Sequence, residues 1–397
     1  MRICHIKKIT ALLLILCIFL TGISVYADEY ICESAYELQE LADIIPDSVK
    51  AYVQSVLPDI LDAASDFAKD IGVNASDNYE LQPNKPYIIY NFREYQDEIY
   101  YYPLTANGKI EFILGVIGTD EGYTHQISRE GALLNILNEI DYLNNECIFY
   151  VIDNELYYEE KNKGYDNFES AYICETYHSS GRNELLFLTK SFEEKQRIIN
   201  DKIKFFKPVN TSDFDLNSLK TTKCGAMKTI KLRNPQSQYV YNMCWACVVA
   251  KIANTVNMMS YTGFDVCSRM GIGFDKGADI YEMKTALSYY GVDYKIRNGI
   301  PYWSEIMKNI DVGYPLAMIL FSKYPDLPGH TITLMGYNDS NKYIRVYDSQ
   351  NTYNPDNDSN KDNPYSDGDY YEFYYNNQPR IARNDSVYSW EATLSEY

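Results

Sequence analysis

The chain has 397 residues and carries 36 Lys and Arg against 55 Asp and Glu, a net charge of −19 with only four histidines. Such a length favours two or three domains over one small core. Such acidity excludes nucleic acid and anionic membranes as partners and reads as solubility in an exported protein.

Residues 1–27 read as a secretory signal: Arg2, Lys7 and Lys8 form a basic start, residues 11–23 an apolar run, and Val25-Tyr26-Ala27 a small-residue cleavage site. The run is short for a membrane span and Cys17 has no lipobox around it, so the expectation is a secreted product without stable membrane insertion. Removing three positive charges takes the net charge from −19 to −22. Cys4 and Cys17 leave with the signal, and the odd remainder (Cys32, Cys147, Cys174, Cys224, Cys244, Cys247, Cys267) calls for at least one unpaired thiol in an exported protein.

In residues 28–78 the apolar positions Leu38, Leu41, Ile45, Val49, Val53, Val56, Leu57, Ile60 and Leu61 recur at helical spacing, and Pro46 and Pro58 divide them into two or three short helices. Residues 79–222 change period. Strands are expected at 87–90, 98–104, 109–117, 147–153 and 185–188, with one helix at 130–143. The tyrosine runs, such as Tyr100-Tyr101-Tyr102, suit pleated sheet. The lysine-rich 190–207 and the polar 210–223 read as a connector.

From residue 223 to 397 the plan is different. A short strand at 228–232 leads to Gln238, and Val248, Val249, Ile252, Ala253, Val256 and Met259 mark the buried face of a helix that begins at Cys244. Further helices are expected at 279–290, ended by Gly291, and at 303–310. Strands at 315–321, 330–337 and 343–348 follow, the last two joined as a hairpin through Asn338-Asp339-Ser340-Asn341. Helices followed by an antiparallel sheet make an α+β class.

The C-terminal half holds one histidine, His330, downstream of Gln238 and Cys244. A thiol becomes a nucleophile as the thiolate, which a helix N-terminus and a neighbouring imidazole both favour. Cys244 opens a helix and His330 opens a strand, so both sit on rigid elements. Asp348 ends the next strand, where it can accept from the far ring nitrogen, and Gln238 can offer its amide to an oxyanion beside the Cys244 N–H. Cys247 has Tyr241, not glutamine, six positions earlier and reads as a core residue. Cys244 and Cys247 form C-x-x-C without a second pair, so no metal or cofactor is expected. Asp356, Asp358, Asn360 and Asp362 alternate like calcium ligands. Lys361 in the glycine place and Asp367 in the place of the long Glu make the loop a solvated acidic one.

With Gln238, Cys244-Trp245-Ala246, Gly329-His330-Thr331 through Gly336-Tyr337, and the strand ending in Asp348, residues 224–397 resemble the papain-like cysteine proteases, most closely the bacterial branch that includes the staphopains. The resemblance implies a two-lobed catalytic domain, a helical lobe against a sheet lobe. It also implies peptide-bond hydrolysis through a thioester, with Cys244 as nucleophile, His330 as base then acid, Asp348 as its orienter and Gln238 in the oxyanion hole. Many relatives have Asn in place of Asp348, with Asn351 the second choice here, and no tryptophan follows until Trp390 to shield the orienting residue. The resemblance further implies a zymogen whose N-terminal region acts as an inhibitory pro-domain, cleaved near residues 220–228, with protein or peptide substrates as partners. The rival readings are a permanent recognition or adhesion domain for 28–220, a cell-wall amidase or peptide transferase, a leader-peptide processing protease, and a non-catalytic surface binding protein.

Overall fold

Strand Leu316–Ser322 is apolar at almost every position because both its faces are covered. Leu316, Met318 and Leu320 point into one core and Ala317 and Ile319 into another, as the two-residue repeat of a strand requires. The computed structural model describes residues 45–73, 80–92, 96–120, 122–152, 155–161, 169–173, 190–203, 225–233, 238, 242–324, 329–349, 369–375, 379–383 and 386–397. Contacts divide the chain between Ile45 and Pro46, and all that follows concerns residues 46–397. The expected signal, the helical positions before residue 45, the strand at 185–188, Asn351, the loop at 356–367 and Cys32, Cys174 and Cys224 lie outside the described residues.

The described residues form seven helices and sixteen strands, a mixed α+β fold. Helix α1 (Asp47–Asp70) comes first, then β1 (Gln82–Pro83), β2 (Ile89–Tyr90), β3 (Ile99–Ala106), β4 (Lys109–Thr119) and β5 (Gly122–Arg129). Helix α2 (Gly131–Glu139) is followed by β6 (Cys147–Ile152), β7 (Glu155–Glu160), β8 (Glu169–Ile173) and α3 (Phe192–Ile203). The C-terminal part runs β9 (Lys228–Thr229), α4 (Cys244–Asn257), α5 (Gly263–Met270), α6 (Ile280–Tyr289), β10 (Lys295–Asn298) and α7 (Trp303–Asp311). It ends with β11 (Leu316–Ser322), β12 (His330–Asn338), β13 (Tyr343–Asp348), β14 (Asp369–Tyr374), β15 (Arg380–Arg383) and β16 (Ser386–Ser395).

Two expectations are corrected. Proline 58 does not divide the first helical stretch: α1 runs through it, because Val49, Val53, Val56, Leu57, Ile60 and Phe67 bury one continuous face and packing outweighs the lost hydrogen bond. Residues 190–207 are not simply a connector, since α3 occupies 192–203, buries Phe192 and Ile199, and pairs the buried Lys195 with Glu159 at 2.5 Å.

Twelve strands form one antiparallel sheet in the order β1-β3-β4-β5-β14-β13-β12-β11-β16-β10, with β15 on β16 and β9 on β12. A second sheet has the order β2-β6-β7-β8. In the large sheet β5 and β14 pair through Tyr370 with Arg129, Tyr371 with Ser128 and Phe373 with Gln126, so the sheet passes without a break from the N-terminal strands to those carrying His330 and Asp348. Helix α1 reinforces this junction. Tyr52 Oη bonds His125 Nδ1 on β5 at 2.9 Å, His125 Nε2 bonds Tyr343 Oη on β13, and Asp70 accepts from Arg345 Nη1 on β13 at 2.8 Å. Burial lowers the His125 pKa from 6.5 to about 4.

On one face of the C-terminal sheet, helices α4, α5 and α6 enclose Trp245, Val249, Ile252, Val266, Met283 and Leu287. On the other, Ile306 and Ile310 of α7 pack on Leu316, Ile332, Leu334 and Val346. Capping sets the helix ends. Asp279 accepts from Tyr281 N and Glu282 N at 2.8 Å each, and Glu282 closes a capping box at the start of α6. The chain leaves that helix at Gly291, whose φ of 77° suits glycine.

Candidate active site

Helix α4 begins at Cys244, so the Cys244 N–H belongs to the first turn, where backbone donors have no intrahelical acceptor. Asn242, in the left-handed region at φ 60°, turns the chain into the helix and donates to Asp275 O at 3.1 Å. Trp245 Nε1 donates to Lys276 O at 3.0 Å, which pins the same end to the loop before α6. Cys244 is 7% exposed. Among the described cysteines Cys244, Cys247 and Cys267 are unbridged.

His330 opens β12 and Asp348 closes β13, and both are buried. The Nε2 of His330 is 2.8 Å from Asp348 Oδ1 and 2.9 Å from Oδ2. A carboxylate at this distance fixes ring orientation and tautomer, with the proton on Nε2, and leaves Nδ1 as the nitrogen that can exchange a proton with a thiol. The strand before His330 must allow a close approach: a Cβ at Gly329 would stand 3.0 Å from the Phe321 ring and 3.3 Å from Leu320 O. Gly336, farther along β12, lies against β9, where a Cβ would meet Thr229 Cγ2 at 2.7 Å.

Gln238 is half-buried, and its backbone N–H donates to Ser349 O at 2.5 Å. That bond ties the segment before α4 to the residue after Asp348. The Gln238 Oε1 is buried and makes no hydrogen bond. Ser349 also lies against Cys247, whose thiol burial pushes up to about 12. Cys247 fills the gap under α5, 2.9 Å from where a Gly263 Cβ would stand, and so belongs to the core. Gln238 and Cys247 both touch Ser349, which brings the first turn of α4 to the end of β13, the strand whose Asp348 holds His330.

One charged group of this neighbourhood goes unremarked in the sequence reading. Lys251 of α4 is 1% exposed, and its amine feels Cys247, Asp348 and Cys244. Its sequence signal is position: it falls on the stripe of Cys244, Cys247 and Val248, where a solvated lysine does not belong. Among the described residues no group of three or more His, Cys, Asp and Glu could hold a metal ion, and no helix is long and apolar enough to cross a membrane. An open cavity of about 460 Å³ between Gly299, Arg380 and Trp390 is lined by none of the four site residues.

Residues 247–380 match the model of the Peptidase_C39 like family. The likeness supports a cysteine peptidase-like enzyme. It takes in His330 and Asp348 and begins three residues after Cys244, so the thiol and Gln238 stand on geometry and sequence alone. A comparison with curated proteins gives no match.

Proposed function

We propose that the chain is an exported cysteine endopeptidase of the papain-like plan, close to the staphopain branch, acting on protein or peptide substrates. The buried His330–Asp348 pair, together with a helix that starts with cysteine, carries the reading. In it, His330 Nδ1 takes the Cys244 proton, and the sulfur attacks the scissile carbonyl. The backbone N–H of Cys244 and the side-chain amide of Gln238 donate to the oxyanion, a contribution of about 3 kcal/mol per donor. His330 then protonates the leaving amine, and a water activated by the same imidazole hydrolyses the thioester. Asp348 keeps the ring oriented through both half-reactions.

Within this proposal the enzyme is made as a zymogen with a signal peptide at 1–27, and cleavage near residues 220–228 separates residues 28–220 from the catalytic part. The β5–β14 pairing and the Asp70–Arg345 bond support one amendment: the two pieces stay associated after cleavage, so inhibition is relieved by a local movement and not by release. Nucleic acid and membrane insertion have no part in it.

The test incubates the secreted protein with casein and, separately, with purified peptidoglycan, with and without an epoxide-type thiol inhibitor. Thiol-dependent casein cleavage that is lost in Cys244→Ala and kept in Cys247→Ala is expected. Cleavage of peptidoglycan alone would replace the reading with a cell-wall amidase, and casein cleavage surviving in Cys244→Ala would end it.

A further inference from the structure

We propose that Lys251 is a positioning residue of this site, its ammonium buried between the helix of Cys244 and the strand of Asp348 so that thiol and carboxyl are both held in their anionic forms. The inference deepens the peptidase reading and rests on it for the role of Cys244.

The placement is specific. Lys251 lies seven residues after Cys244 and four after Cys247, two turns and one turn along α4. Its Nζ sits 3.5 Å from the centroid of the Tyr347 ring, and Tyr347 directly precedes Asp348. No hydrogen bond reaches this amine. A cation over an aromatic face gains less than a buried charge without hydrogen bonds loses. The aromatic face alone cannot retain the charge, and neighbouring anions must supply the rest.

The groups that face it are few. Cys244 and Cys247 come from its own helix and Asp348 from β13, while His330 of β12 is bonded to that carboxylate. Cys267 of α5 bears on Cys247. The Cys247 thiol, pushed up to about 12 by burial, stays protonated across the neutral range, which leaves Asp348 and Cys244 as the groups on which an ammonium can act. Burial, opposed by Cys247, Asp348 and Cys244, lowers the Lys251 amine from 10.5 to about 7. Interaction between titrating groups is mutual: whatever Asp348 and the Cys244 thiolate do for the ammonium, the ammonium does for them.

The test reads the thiol itself in the full chain. Alkylation by iodoacetamide is followed between pH 5 and 9 by mass spectrometry of the Cys244-containing peptide, in the native protein, Lys251→Met and Lys251→Arg. An opposite charge at short range favours the charged form by about one pH unit or more. In Lys251→Met the midpoint of the alkylation profile therefore rises by about one pH unit, and alkylation on the acid side slows about tenfold. Lys251→Arg, which keeps the charge, retains the native midpoint. A native circular-dichroism spectrum with an unmoved midpoint in Lys251→Met overturns the proposal, and so does an equal rise in Lys251→Arg. Should Lys251→Met fail to fold, Lys251→Gln carries the same expectation and the same refutation. Peptide cleavage plays no part in this readout, so an inactive enzyme would refute the proposed function separately.

Discussion

Arg345 offers a severe test of how the strand that ends in Asp348 is held. It stands on β13 three residues before Asp348, is 1% exposed, and faces Glu372 of β14 as a cross-strand partner. Its Nε donates to Glu372 Oε1 at 2.7 Å, its Nη1 to Asp70 Oδ2 at 2.8 Å, and its guanidinium lies 4.4 Å from the Phe67 ring centroid. Glu372 is also 1% exposed, and burial pushes its carboxyl up while Arg345 draws it back. Arg345→Met leaves that carboxyl stranded, and losing one partner of a buried pair costs about 3–5 kcal/mol. The stranded Glu372 has its folded pKa raised above the unfolded value. Its penalty is thus largest at neutral pH and shrinks as falling pH protonates it. Arg345→Met/Glu372→Met removes both charges and should return to within about 1 kcal/mol of the native stability. Asp70→Ala, at the half-exposed arm, should cost about 1 kcal/mol or less. Urea unfolding followed by far-UV circular dichroism at pH 7 and pH 5 gives all these differences. A double variant as unstable as Arg345→Met, or a single-variant deficit that grows from pH 7 to pH 5, would refute the reasoning.

Two further perturbations follow from other features. His125 has a folded pKa near 4 against 6.5 unfolded, so its contribution is complete above about pH 6.5 and is lost as pH falls toward 4. That is about 3 kcal/mol of stability, and a His125→Gln protein, compared by urea unfolding at pH 7, 5.5 and 4, should lack this part of the acid sensitivity. In Gly336→Ala the new methyl would press on Thr229 Cγ2 and Lys228 O, so β9 must shift, a cost of about 1–3 kcal/mol that a thermal melt would show as a lowered Tm.

The site was more legible in the sequence than the architecture around it. Cys244 could be placed at a helix start because Val248, Val249, Ile252 and Ala253 repeat at helical spacing immediately after it, and local periodicity is what a sequence displays most openly. His330 and Asp348 came out at a strand start and a strand end because both runs are rich in β-branched and aromatic residues and their turn carries Asn and Asp. Helix α1 was misdivided because proline usually ends a helix, and only the cover that α1 provides to Tyr123, His125 and Phe112 explains why it continues. Helix α3 looked like solvent-facing connector because six of its residues are charged, and the Glu159 partner that buries Lys195 lies 36 positions away in the chain. The β5–β14 pairing joins residues some 240 positions apart, and nothing local in either strand announces its partner.

That pairing also decides where the molecule can be cut. A fragment beginning at residue 223 would present β14 as a bare rim, with Tyr370 stripped of the Phe67 ring and a row of amides and carbonyls open to any passing strand. Such a rim is adhesive toward its own copies, so trimming to the peptidase-like half would trade a self-contained sheet for one that polymerises.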